Sequence, residues 1–377
     1  MPAYTVLLLC EKVSDRVVLL SKMYSRIGLN TLILYKTDHK SWLKHCEESF
    51  LFRFEDELNL DKILDQLKFS LIHYFNFGPD LTGLTLLRKN VPYLYDYKDL
   101  FTSLRNHPLS DAARAVELHL VTRALAITNR DQQITLYVER NCRGLNTPRL
   151  VPVPDFQFFQ SPKDLDCRFN LTNDILSRQG NEFLNIVCTG GVTPESRIGQ
   201  DATGISTLIT LLSKYPNIKL DIIGGYSNVV TEYQVSEHIP IPPNVRILPG
   251  LSPQEFHNAL TEYDFAVHIA NADLATYDED AEGCYQQNSV SSFASARLFS
   301  YAYAGLPLII GSSFRWNVEY FESRFPVLEV NRNNAEYLFR SLVRSPSLRL
   351  LAKLKSPKFY YLEHVQSFKS NMLQFIS

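Results

Sequence analysis

No apolar run in this chain reaches the roughly 18 residues that a membrane-crossing helix needs. The amino terminus, Met-Pro-Ala-Tyr-Thr-Val-Leu-Leu-Leu-Cys, lacks the basic start and long apolar core of a secretory signal. A cytoplasmic protein without a transmembrane segment is the expectation. Charge of one sign is also lacking: 38 basic residues stand against 40 acidic ones, so no overall field calls for nucleic acid or an anionic membrane. The six cysteines, Cys10, Cys46, Cys142, Cys167, Cys188 and Cys284, form no Cys-x-x-Cys and no cluster with histidine, which argues against both a zinc site and a disulfide framework. Glycine is missing from Glu11-Lys12-Val13-Ser14, the connection after the first apolar run. The dinucleotide fingerprint is therefore absent, and neither NAD nor FAD is expected as a cofactor.

What is present is enough apolar material for two cores. The chain has 377 residues, 45% of them hydrophobic, and a single core seldom grows beyond about 250 residues. Tyr4 to Cys10 reads as a buried strand, Ser14 to Ile27 as a helix and Asn30 to Tyr35 as a second strand, a β-α-β start that favours a parallel sheet. Strands at Phe50 to Phe54, Phe69 to Phe75 and Tyr93 to Tyr95 alternate with helical patterns at Leu58 to Leu67 and Leu81 to Lys89. Leu109 to Thr128 reads as a long amphipathic helix running into a short strand. Leu150-Val-Pro-Val-Pro154-Asp155 is held extended by its prolines, and weak periodicity from Gln160 to Asn181 marks the boundary between domains 1–165 and 166–355. Residues 356–377 read as a terminal helix.

In the second half, Phe183 to Thr189 is a strand running into Gly190-Gly191, where the backbone can turn sharply and let a ligand approach. Ile218 to Ile223 repeats the pattern, ending at Gly224-Gly225-Tyr226. Arg197 is the only basic residue in the loop ahead of the helix Gly204 to Lys214. The segment Asn271 to Gln287 carries Asp273, Asp278, Glu279, Asp280 and Glu282 and reads mainly as an acidic solvated loop. Asn288 to Ser313 is a serine-rich loop, a helix beginning near Ser295 and stopped by Gly305, then the strand Leu308 to Ile310. A helix whose first turn opens on such a loop is a prepared anion site.

Arg297-Leu-Phe-Ser-Tyr-Ala-Tyr-Ala-Gly-Leu-Pro resembles the K-L-x-E-Y-x-A-x-G-x-P segment of GT-B glycosyltransferases of the group-1, retaining, nucleotide-sugar-dependent type. Other stretches are similar too. Ile218 to Tyr226 looks like L-x-I-x-G-x-G, Asn244 to Glu255 like N-V-x-F-x-G-x-x-x-x-x-E, and Glu282-Gly283-Cys284-Tyr285 like part of E-G-F-G. The resemblance implies an α/β GT-B protein: two Rossmann-like domains with parallel sheets facing across a cleft, the terminal helix crossing back to the first. It implies transfer of a sugar, of the hexosyltransferase kind, from a nucleotide diphosphate sugar to a glycan, lipid-linked or protein acceptor, without metal.

The implied donor contacts are Gly190, Gly191, Arg197, Gly225, Tyr226, Leu248, Gly250, Ser295, Arg297 and Ser300. His73 and Asp96 resemble the I-x-H-x-H and D-x-H-D strand ends; with Glu282 they are the implied catalytic residues, and a packed strand histidine is the other reading of His73. The chain departs from the pattern at Ser300 and Ser292, where the family has glutamates, and at Asp201-Ala-Thr-Gly204, where a lysine is missing. A nucleotide-sugar epimerase and a binding protein with a decayed site are the alternatives.

Overall fold

Val6 to Cys10 is wholly without solvent exposure, which an apolar run achieves in a strand covered on both faces. The computed structural model describes residues 5–38, 42–76, 82–97, 110–130, 135, 138–139, 148–153, 183–190, 204–224, 240–251, 253–270, 273, 296–345 and 358–376. In it the run is the middle of β1 (Thr5–Lys12). Helix α1 (Asp15–Arg26) follows, capped by Ser14, whose side chain accepts from the Val17 amide.

The chain then continues through β2 (Asn30–Thr37), β3 (Ser49–Arg53), α2 (Glu57–Gln66), β4 (Leu71–Asn76), α3 (Thr82–Lys89), β5 (Tyr93–Tyr97), α4 (Ser110–Arg123), β6 (Ala126–Asn129) and β7 (Arg149–Pro152). Helix α4 stops at Arg123 because the Leu125 amide already donates to the Tyr93 carbonyl and Ala126 pairs with Leu94. These seven strands form one sheet in the order β3-β2-β1-β4-β5-β6-β7, every neighbouring pair parallel.

The second sheet comprises β8 (Leu184–Thr189), β9 (Ile218–Ile223), β10 (Val245–Leu248), β11 (Phe265–His268), β12 (Leu308–Gly311) and β13 (Val327–Val330). Its order is β10-β9-β8-β11-β12-β13, again all parallel. Around it lie α5 (Ile205–Leu212), α6 (Pro253–Leu260), α7 (Ala296–Tyr303), α8 (Arg315–Glu322) and α9 (Ala335–Arg344). Helix α7 ends as its glycine requires: Gly305 has φ +77°, its amide donates to Ala302 and that of Leu306 donates to Tyr301. One side-chain device fixes the entry to β10. The Asn244 amide group donates to the carbonyls of Leu212, Tyr215 and Ile218, tying together the end of α5 and the start of β9.

The chain divides into two units, 1–158 with 362–377, and 159–361. Each has its own apolar core, the first around Leu7, Leu34, Ile72 and Ile127, the second around Ile186, Leu208, Ile222, Phe265 and Phe339. The last helix, α10 (Lys358–Leu373), packs in the first unit. Phe368 lies edge-on to Tyr24 at 5.0 Å, Met372 Sδ is 3.4 Å from the Tyr24 hydroxyl, and Gln374 just beyond accepts from Arg149. Among the described residues no helix is long and apolar enough to cross a membrane.

Candidate functional site

In an open parallel sheet the ligand crevice opens outside the carboxyl ends of the strands, where the strand order reverses. In these sheets the reversal falls between β1 and β4 and between β8 and β11.

In the first unit the groups near this position are spent on one another. Asp96 accepts from Arg16 Nε at 3.1 Å and Nη2 at 2.9 Å, and Arg16 Nη1 donates to the Val153 carbonyl at 2.6 Å. Thr128 Oγ1 lies 2.7 Å from Asp96 and 2.9 Å from His73 Nε2, while His73 Nδ1 lies 2.9 Å from the Tyr24 hydroxyl. Because an ionised Asp96 can only accept, one proton assignment satisfies the whole line: Tyr24 donates to Nδ1, Nε2–H donates to Thr128, and Thr128 donates to Asp96. Burial pushes the His73 imidazole down to about 4, with Asp96 opposing and Arg16 assisting, so it is neutral. Burial alone would raise Asp96, but the Arg16 charge, His73 and the bonds from Arg16 and Thr128 outweigh it and hold the carboxyl below its ordinary value.

Both side chains have zero exposure. The sequence offered both as catalytic residues, and the structure shows each engaged by neighbouring side chains. His73 is the third residue of a six-residue strand with both ring nitrogens taken, and Asp96 neutralises a buried arginine.

The second unit is arranged differently. Strand β8 runs into Gly190 at φ +141°, a conformation open to glycine. A Cβ built there would stand 3.1 Å from Arg297 Nη1 and 3.2 Å from Nη2, so the guanidinium lies directly over the turn. Gly224, which closes β9 in the same way, would meet the Gly190 carbonyl oxygen at 2.8 Å. The two turns are thus nested, with Gly190 N donating to Ile223 O and Gly224 N to Leu248 O. Tyr301 of α7 holds the end of β8 through a 2.6 Å bond between its hydroxyl and Thr189 Oγ1. Arg297, in the first turn of α7, is half-buried, and among the described residues no carboxylate pairs with it. An always-charged planar donor set at this edge suits an anion with two acceptor oxygens.

At the same edge one residue went unread in the sequence and another was read differently. His268, the last residue of β11, is 6% exposed, and its Nε2 has no hydrogen-bond partner. Asp273 was expected on a solvated loop, yet it is 2% exposed and accepts from the amides of Ala270 and Ser313, both at 2.7 Å, and from the Ser313 hydroxyl at 2.9 Å. The sequence did carry a signal for it: Gly311-Ser-Ser313 after a strand supplies the room and the donors.

The structure therefore brings Gly190, Arg297 and Leu248 to one end of the second sheet and leaves open space around Gly250. Ser300, expected at a ribose, is only 2% exposed and lies among the buried residues Leu298, Phe299, Tyr301 and Ala302 of α7, so the described arrangement gives it no open face. Gly191, Arg197, Gly225, Tyr226, Glu282 and Ser295 lie outside the described residues.

No family model matches the chain, and no curated protein matches it. Solved structures do. Sucrose-phosphate synthase from Thermosynechococcus elongatus is 14% identical over 98% of both chains, with a TM-score of 0.59. A glycosyltransferase from Rickettsia africae is 13% identical over 100% of this chain and 98% of its own, with a TM-score of 0.60. The fold is GT-B. A UDP-GlcNAc 2-epimerase from Neisseria meningitidis, solved with UDP-GlcNAc, covers 99% of both chains at 11% identity and a TM-score of 0.54. The GT-B fold thus accommodates both transfer and epimerisation, and what this chain does has to be argued from its own residues.

Proposed function

We propose that the second GT-B unit binds the diphosphate of a nucleotide sugar beyond the carboxyl ends of β8 and β11. On this reading the protein transfers the sugar to a hydroxyl of a glycan, lipid-linked or protein acceptor. The observation that carries it is the Arg297 guanidinium lying over Gly190 with no carboxylate partner among the described residues. Gly191, Arg197, Gly225, Tyr226 and Ser295 belong to the same proposed donor site. Arg297 and the backbone amides of the first turn of α7 would offset the charge that gathers on the departing diphosphate, so the reaction as proposed needs no metal.

The test is calorimetric titration of UDP and GDP into the parent and into Arg297→Ala. A charge-assisted bond to phosphate contributes about 1.5–3 kcal/mol, so the dissociation constant is expected to rise tenfold or more while the melting temperature holds. An unchanged constant in a variant that melts like the parent overturns the reading. Following the sugar of a bound donor then separates transfer from epimerisation: a new glycoside forms only in the first case, and an isomerised donor without any acceptor marks the second.

A further inference from the structure

We infer that His268 is a second ligand-contacting residue of this site, its Nε2–H donating to a phosphate oxygen of the nucleoside diphosphate beside Arg297. The inference rests on the reading above and adds to it a residue that neither the sequence motifs nor the fold assigns.

The argument starts from an unfilled atom. Buried polar groups are almost always bonded, and each exception needs a reason. His73 meets the rule with both ring nitrogens filled; His268, also buried, does not meet it at Nε2. The residue that carries the unfilled atom ends a strand at the reversal point of the sheet. Strand order places β11 beside β8, so His268 ends one flank of the reversal point and Thr189-Gly190 ends the other. The imidazole meets the Phe314 ring at a centroid distance of 4.4 Å, and the His268 backbone pairs in register with Ile310 of β12.

The charged group that acts on it is Arg297 of α7. Burial first, and the Arg297 charge second, press the imidazole down to about 3, so it is neutral. Asp273, five residues on, has both oxygens engaged by Ala270, Ser312 and Ser313, and Asp264, four residues before, accepts from the Asn185 amide. A guanidinium carries donors and no acceptor, and a neutral imidazole can present an N–H. Among the described residues neither group has an acceptor partner, and an anion with several oxygens would supply one to each. The oxygens of a diphosphate have that chemistry, and a neutral N–H donor asks for no desolvated second cation.

The experiment titrates UDP, GDP and inorganic pyrophosphate into the parent, His268→Phe, His268→Gln and Arg297→Ala at pH 7.5. His268→Phe, which keeps the ring and removes the donor, is expected to weaken binding about tenfold, in line with one lost hydrogen bond to a charged acceptor. It should melt at or above the parent temperature, because it removes an unbonded polar atom. His268→Gln, which restores an N–H, should recover most of the affinity. In selectively nitrogen-labelled parent protein, the His268 Nε2 resonance should shift on adding pyrophosphate, a readout that does not depend on any variant folding. If Arg297→Ala weakens binding while His268→Phe binds like the parent, or if the resonance stays still at saturation, the inference about His268 falls alone. Should Arg297→Ala bind like the parent, the diphosphate site falls and takes His268 with it.

Discussion

Two buried carboxylates show how much a neighbouring side chain decides. Asp96 was read as reactive and is occupied by Arg16; Asp273 was read as solvated and is the knot that holds the ends of β11 and β12. The room for Asp273 comes from Gly311, where a Cβ would stand 1.8 Å from the carboxylate oxygen. Gly311→Ala must therefore break the knot, and overpacking together with the lost bonds is expected to cost about 2 kcal/mol or more. Gly250→Ala is the control: nothing lies within 4 Å of its would-be Cβ, and its effect should stay near zero. Equal melting temperatures for the two variants would contradict this account. At this scale the places of Arg297 and Gly190 were legible because they are set locally: a cation at the head of a helix and a glycine at the end of a strand. His268 was not, because its signal is a missing partner, which no spacing encodes. The bonding of His73 was hidden for the opposite reason, its partners arriving from α1 and β6, far away in sequence.

Elements whose limits are set by local rules were legible. Ser14 starts α1 and Gly305 ends α7, where the sequence placed them. The end of α4 was less so, because strand pairing with β5 takes over after Arg123. Strand β3 is an exception among buried strands. It forms the edge of the first sheet, and Phe50, Leu51 and Phe52 are 65%, 44% and 45% exposed. Its sequence alone reads as core, since edge position follows from strand order. An apolar edge with free backbone groups invites pairing with other chains. Leu51→Lys should lower light scattering in concentrated solution while changing stability by no more than about 0.5 kcal/mol. A large drop in melting temperature would show that Leu51 is packed rather than exposed.

At the scale of the molecule, β-α alternation made two parallel-sheet units legible, whereas the strand order depends on pairings such as β1 with β4 that join distant segments. Each unit also carries a buried neutral histidine, His73 held at about 4 and His268 at about 3, against an ordinary value of 6.5. Both folded values are lowered, so the stability they contribute is complete above pH 6.5. It is lost as the pH falls toward 4, where the unfolded chain takes up protons that the folded one refuses. Each unit should weaken by up to about 1.4 kcal/mol per pH unit in that window. Asp96, held below its ordinary 3.8, keeps its contribution until more acid conditions. Urea titrations at pH 7 and pH 5 test this, and equal midpoints would contradict it. The position of α10 has a consequence in time. During synthesis residues 1–158 emerge first, but Phe368 and Met372, which close over Tyr24, follow only after residues 159–361. At about 5–20 residues per second that is a wait of roughly ten to forty seconds. The unit made first is thus the last to be finished, and until then its α1 face waits for the helix that covers it.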